Sequence, residues 1–267
     1  MTHHATPPEQ MTHWLEVAVR AARAAGAVHL AHLGRVKGVR AKSSFADLVT
    51  EVDGEAERVI RAEIAADFPD HAVLGEEEGA RGEPGRYRWV VDPLDGTVNY
   101  AHGYPVFCSS VALEQDGERV VGAVYDPTRG ELFTATRGGG AFLNGEPLRV
   151  SGVPTLDTPA LLATGFPYDT SGERNLVYVA RVLRLGVPLR RPGAAALDLC
   201  NVACGRMDGY WELGVQPWDV AAGSLILEEA GGRVSDQSGL TTPYGPMIVA
   251  TNGALHPELL HLLRDEE

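Results

Sequence analysis

From residue 106 to 150 short apolar runs alternate with the turn signals QDGE, DPTRG, RGGG and LNGEP. That alternation predicts an antiparallel meander and commits the middle of the chain to sheet. Two helices are expected ahead of it. Over residues 12–34, Trp14, Leu15, Ala18, Ala21, Ala22, Ala25, Val28 and Leu33 recur at helical spacing, with Thr12 as candidate N-cap and Gly34 as stop. Val52, Ala56, Val59, Ile60 and Ile64 stripe a second helix over residues 50–68, closed by Pro69. LGEEEGARGEPGR, residues 74–86, reads as a flexible polar segment, and RWVVDPLDG as a strand that stops at an Asp-Pro.

After SGVPTLDTP the pattern changes to strand and helix in turn: ALLATGF, NLVYVARVLRLG, VPLRR, AAALDLCNVACG, MDGYWEL, WDVAAGSLILEEAGG, MIVATN and HPELLHLLR. The expected division is an α+β part over residues 1–151 and an α/β part over 152–267. No repeat or low-complexity tract interrupts it. A length of 267 residues suits one large or two modest domains and excludes a small disulfide scaffold.

Charge and cysteine usage narrow the function classes. With 36 acids against 23 bases the formal charge is -13, the wrong sign for a chain that lives by contacts with DNA or RNA phosphates. No apolar run approaches a membrane span. Three cysteines make no disulfide framework, and MTHHATPPEQMTH carries no basic and apolar leader pattern, so a cytoplasmic location is expected. Cys200 and Cys204 would share a helix face but lack further metal ligands nearby, and read as small buried hydrophobes.

Chemistry concentrates in Asp92-Pro93-Leu94-Asp95-Gly96-Thr97, two carboxylates three residues apart after a buried strand. Such a pair shares a proton or holds a hard cation such as Mg²⁺. Pro93 fixes the backbone, Gly96 permits close approach, and Thr97 could cap a following helix whose amide faces an anion. Alone, the motif could equally be an acidic surface turn. Glu76, within Glu76-Glu77-Glu78, could belong to a solvated loop. Asp53 could simply close a capping box with Thr50, and Asp219 could complement a helix dipole.

Taken together, DLVTEVD (47–53), GEE (75–77), WVVDPLDGTVNY (89–100), GAAALDL (193–199) and WDVAAGSLILEEAGG (218–232) resemble the inositol monophosphatase family, Mg²⁺-dependent and lithium-sensitive phosphatases. The resemblance spans nearly the whole chain and implies a layered αβαβα sandwich of α/β class. It implies that Glu76, Asp92 and the Leu94 carbonyl hold one Mg²⁺ while Asp92, Asp95 and Asp219 hold a second. A third, weaker ion would sit near Glu76, with Asp53 steadying that region. Thr97 and Glu76 would position the attacking water, and the backbone of Asp95, Gly96 and Thr97 would cradle the phosphate. Gly193, Ala194, Ala195, Glu212 and Asp219 would meet the alcohol half of the substrate.

One departure is Ala194, where the family usually carries a hydroxyl residue, which loosens the preference among polyols. Lys42 matches a lysine often near the site but is left outside the catalytic set. His3, His4 and His13 read as a mobile start. The implied reaction is hydrolysis of inositol 1-phosphate or a related polyol or sugar phosphate by a metal-activated water. Fructose 1,6-bisphosphate, 3'-phosphoadenosine 5'-phosphate and histidinol phosphate are alternatives within the fold, and Arg190 and Arg191 are candidate anchors for a nucleotide phosphate. Kinship also implies a homodimer, and a different class of role, as a regulatory partner of the transcription machinery.

Overall fold

The computed structural model describes residues 7–35, 40–41, 48–167 and 172–264. Helix α1 (Pro8–His32) is followed by a small antiparallel pair, β1 (Arg40–Ala41) and β2 (Leu48–Val49), and by α2 (Glu51–Asp67). Helix α1 begins a turn before the expected Thr12. Pro7 is its N-cap, and Thr12 lies inside with Oγ1 donating to Pro8 O at 3.0 Å. A proline in the first turn forfeits no hydrogen bond, because amides there have no intrahelical partner, so Pro7-Pro8 lengthens the helix. The same extension corrects the reading of His13, which sits on a formed helix 3.7 Å from Asp67. His3, His4 and Lys42 lie outside the described residues. Helix α2 matches its expected span, with Thr50 as N-cap.

Next come β3 (Ala72–Gly75), β4 (Gly79–Arg81), β5 (Tyr87–Asp95) and α3 (Thr97–Ala101), then the meander: β6 (Cys108–Gln115), β7 (Glu118–Asp126), β8 (Glu131–Thr136), β9 (Gly140–Leu143) and β10 (Glu146–Pro147). These form an eight-stranded sheet in the order β10-β9-β8-β7-β6-β5-β3-β4, parallel only between β3 and β5. The remaining elements are β11 (Leu162–Thr164), α4 (Glu173–Arg184), β12 (Leu189–Arg190), α5 (Ala195–Ala203), β13 (Gly209–Leu213), α6 (Pro217–Glu229), β14 (Arg233–Asp236), β15 (Met247–Thr251) and α7 (His256–Leu262). A five-stranded sheet orders them β12-β11-β13-β15-β14.

Five layers result. Trp14, Ala18 and Ala25 of α1 and Ile60 and Ile64 of α2 pack on Trp89, Val91 and Val111 of the large sheet. Val90, Ala112 and Val124, on its opposite face, meet α5 and α6, which in turn cover Ile248 and Ala250 of the small sheet. Tyr178 and Val182 of α4 and Leu259 of α7 close the far side. Because α6 is covered on both sides, its residues from Val220 to Leu227 are buried without a polar face. The core therefore draws side chains from both sheets, and the ends of β5, α5 and α6 converge within it.

Candidate active site

Strand β5 is buried on both faces, Val90 toward α5 and α6 and Val91 toward α1, so it carries Asp92 inward to 1% exposure. Pro93 has no amide to continue the ladder, and the register with β6 slips between Asp92 and Asp95. Asp92 Oδ1 accepts from Leu94 N at 2.9 Å. On the outer side of the turn, His29 Nε2 lies 2.8 Å from Pro93 O. A carbonyl only accepts, so Nε2 carries the hydrogen and Nδ1 is bare. Burial holds that ring neutral, with its pKa lowered to about 4. Gly96 adopts φ +91° as N-cap of α3, and a Cβ there would stand 2.8 Å from Val106 O. Thr97 is thus the first helical residue instead of the cap, and its Oγ1 lies 3.0 Å from both Asp53 Oδ1 and Leu94 O.

The other carboxylates come from the end of β5, two helix starts, the β3–β4 loop and β13. Asp95 Oδ1 accepts from Ala195 N at 3.1 Å and Oδ2 from Ala196 N at 2.8 Å, capping α5, whose own N-cap residue, Ala194, has no side-chain oxygen. Cys108 Sγ approaches Asp95 Oδ2 at 3.6 Å. Asp53 and Asp219 do close capping boxes, at α2 and α6, through Oδ2 to Thr50 N at 2.8 Å and to Gln216 N at 2.7 Å. Glu76 opens the loop between β3 and β4, and pairing of Gly75 with Gly79 makes that loop a tight hairpin, contrary to the flexible segment expected. Glu212, on β13, accepts from Tyr210 Oη at 2.5 Å.

One cavity of about 130 Å³ brings several of these groups together. Glu76, Asp92, Asp95 and Asp219 supply its acids. Leu94, Gly96 and Thr97 supply the turn. Gly193, Ala195 and Glu212 form the facing wall, with Val98 and Arg191 beside them. Asp53 and Ala194 are buried but do not line it. Burial, then the charges of Glu76, Asp95 and Asp219, push the Asp92 carboxyl well above the usual range. Burial chiefly drives Asp219 the same way. Asp95 rises only to about 6, since burial is opposed by the α5 amides and Cys108, and Glu212 rises to about 7.

Four carboxylates so arranged raise the energy of their own ionised state, and a hard divalent cation relieves that strain with oxygen ligands alone. The donor set therefore fits Mg²⁺. Among the described residues no three His, Cys, Asp or Glu side chains form a ligand cluster of metal-site spacing.

Residues 10–267 match the sequence profile of the inositol monophosphatase family. The chain belongs to that family. It is 46% identical over 261 residues to an inositol-1-monophosphatase of Synechocystis, covering 96% of this chain and 90% of the relative. It is 43% identical over 257 residues to Nus factor SuhB of Escherichia coli, covering 94% and 96%. The solved inositol monophosphatase of Anabaena superposes with a TM-score of 0.86 at 42% identity, covering 95% of this chain and 96% of that one. The five-layer fold expected from the family motifs is the fold observed. His29 and Glu57, both fully buried beside the turns that carry Asp92 and Glu76, are absent from the sequence expectations. His29 had left a signal, a polar residue one turn after Ala25 on the buried stripe of α1.

Proposed function

We propose that this chain is a Mg²⁺-dependent phosphomonoesterase that hydrolyses inositol 1-phosphate or a related polyol phosphate, using two to three ions per site. The observation that carries this reading is the convergence of Glu76, Asp92, Asp95 and Asp219, from three separate segments, on one cavity in a chain of this family. Glu76, Asp92 and the Leu94 carbonyl would hold one ion, Asp92, Asp95 and Asp219 a second, and Glu76 would neighbour a third. Bound Mg²⁺ would supply a water of lowered pKa and positive charge for the phosphate and the departing alkoxide. Thr97 Oγ1 commits its single hydrogen to Asp53 or Leu94, so it offers lone pairs to a water in the cavity. Glu76 takes a second hydrogen of that water and turns its oxygen toward phosphorus. Attack forms a new bond from the water oxygen to phosphorus as the bond to the ester oxygen breaks, the proton taken by Glu76 is passed through solvent to the departing alkoxide, and phosphate remains with no phosphoenzyme. Amides at Gly96 and Thr97 face the phosphate, while Gly193 and Glu212 meet the hydroxyls of the alcohol; Ala195 N is already engaged by Asp95.

A phosphate-release panel tests this: inositol 1-phosphate, fructose 1,6-bisphosphate, 3'-phosphoadenosine 5'-phosphate, histidinol phosphate and NADP, with Mg²⁺, with EDTA and with added lithium. Inositol 1-phosphate should rank first, EDTA should abolish release, and lithium should inhibit. Silence on every substrate would remove the reading. The relatives named Nus factor SuhB favour a second role, binding to the transcription machinery alongside catalysis. A pull-down retained by Asp92→Asn would support it. Kinship supports a homodimer, which light scattering checks against the 28.5 kDa chain.

A further inference from the structure

Helix α2 carries two buried carboxylates on one face, Asp53 and, one turn later, Glu57, each at 0% exposure. Asp53 Oδ1 receives the Thr97 hydroxyl. Glu57 reaches the loop that carries Glu76. Its Oε2 accepts from Glu77 N at 2.7 Å and its Oε1 from Glu78 N at 3.1 Å and from Arg61 Nε at 2.8 Å. Arg61 in turn donates to Gly79 O at 2.7 Å and Val73 O at 3.4 Å. The pair therefore binds the backbone on both sides of Glu76, through two amides and two carbonyls. Gly75 makes room for it, since a Cβ there would stand 2.4 Å from Glu57 Oε1.

Placing a fourth acid beneath Glu76-Glu77-Glu78 adds like charge, so hydrogen bonding must justify it. A carboxylate can accept from both loop amides at once, whereas an amide side chain has one acceptor oxygen and would turn an NH₂ toward an N–H. We propose that Glu57 is a positioning residue. It fixes the Glu76 hairpin so that the Glu76 carboxylate faces Thr97 across the cavity, with α2 as the rigid spacer between the two groups that orient the water. This rests on the phosphomonoesterase reading and adds to it a residue that touches neither metal nor substrate.

Glu57→Gln tests it in the full chain, by calorimetric titration with Mg²⁺ alone and by phosphate release. The expected result is a Mg²⁺ dissociation constant raised about 10- to 100-fold, the loss usual for a partner that orients a metal ligand, with kcat lowered and KM for the ester little changed. Gly75→Ala presses on the same carboxylate from the loop side and should act alike, which covers a poorly folding helix variant. Ile60→Val loosens the same helix from its core face, lowering the metal-free melting temperature with unchanged Mg²⁺ affinity. Wild-type affinity in both Glu57→Gln and Gly75→Ala, with only a lower melting temperature, would overturn the positioning role and leave the phosphatase reading standing. A wild-type chain that neither binds Mg²⁺ nor releases phosphate would take both down.

Discussion

Glu114, Asp126 and Asp92 are equally buried, at 1% exposure each, yet their surroundings differ. Glu114 receives Arg88 Nη2 at 2.6 Å and Tyr244 Oη at 2.5 Å. Asp126 receives Arg129 Nη1 at 2.6 Å, Thr128 Oγ1 at 2.7 Å and the amides of Thr128 and Arg129 at 2.8 and 3.1 Å. Asp92 instead accepts one amide and faces Glu76, Asp95 and Asp219. Removing a charge from water costs several kcal/mol unless a partner offsets it. The first two acids have that partner within the chain and hold strands and turns together. The cavity acids face one another instead of a cation of the chain, and their mutual charge adds to burial in raising the Asp92 and Asp219 carboxyls.

The sharpest break between the two sets is Asp92→Asn. Phosphate release should fall by more than about 10²-fold, beyond the loss typical of an outer partner of a metal ligand. Unfolding in EDTA should occur at a higher temperature than for the wild type, because one like charge is gone. A lower melting temperature would place Asp92 with the structural acids.

The pH dependence of metal binding should separate the sets next. A carboxylate raised in the folded state, as Asp95 is to about 6, gives a folded chain that holds more protons than the unfolded one above the usual carboxylate range. Metal-free stability from the cavity acids is thus fully present at low pH and falls as pH rises through that window. His29 runs the opposite way. Its pKa drops from 6.5 to about 4, so its share of stability is lost as pH falls from 6.5 toward 4. Subtracting melting temperatures in EDTA from those in Mg²⁺ cancels His29 and leaves the cavity. The difference should grow from pH 5 to about pH 7, because the ion must displace protons to bind. A difference independent of pH would mean that the acids carry no shared proton load.

Asp126→Ala supplies the opposite pole. It strips the turn after β7 of several hydrogen bonds, and its cost is about 1–3 kcal/mol of stability, since Arg129 can turn to solvent. Release at saturating Mg²⁺ should match the wild type. Thermal unfolding and a rate at one substrate concentration suffice, and lost turnover in a folded variant would erase the distinction.

How much of this was legible in the sequence follows the same line. The meander and the two helices ahead of it are legible in local periodicity, and the acids of the β5 turn in a local motif. Strand β14 escaped because Arg233-Val234-Ser235-Asp236 has only one clear apolar residue and is held as a strand by pairing with β15. The start of α1 escaped because a proline pair looks like a break until it stands at a cap. Glu57 and His29 act by hydrogen bonds to the backbone of remote turns, 20 residues away at Glu77 and 64 away at Pro93, and no spacing rule encodes a partner that distant. The capping box expected of Asp53 is present, and Asp219, expected only to complement the α6 dipole, closes a second one with one oxygen while also lining the cavity.

Asp95 belongs to both sets, and Ala194→Ser measures how far. A serine at an N-cap ordinarily stabilises a helix by about 1 kcal/mol over alanine by accepting an orphan amide. At α5 the amides of Ala195 and Ala196 are already taken by the Asp95 carboxylate from across the cavity. The substitution should therefore change metal-free stability by less than about 0.5 kcal/mol. In an Asp95→Ala background, where those amides are released, the same change should recover most of the ordinary gain. The double-mutant cycle gives the coupling directly. A full gain in the wild-type background would show that Asp95 leaves α5 uncapped in solution and stands wholly with Asp92 and Asp219. Equal small effects in both backgrounds would mean that the start of α5 is satisfied by something other than Asp95.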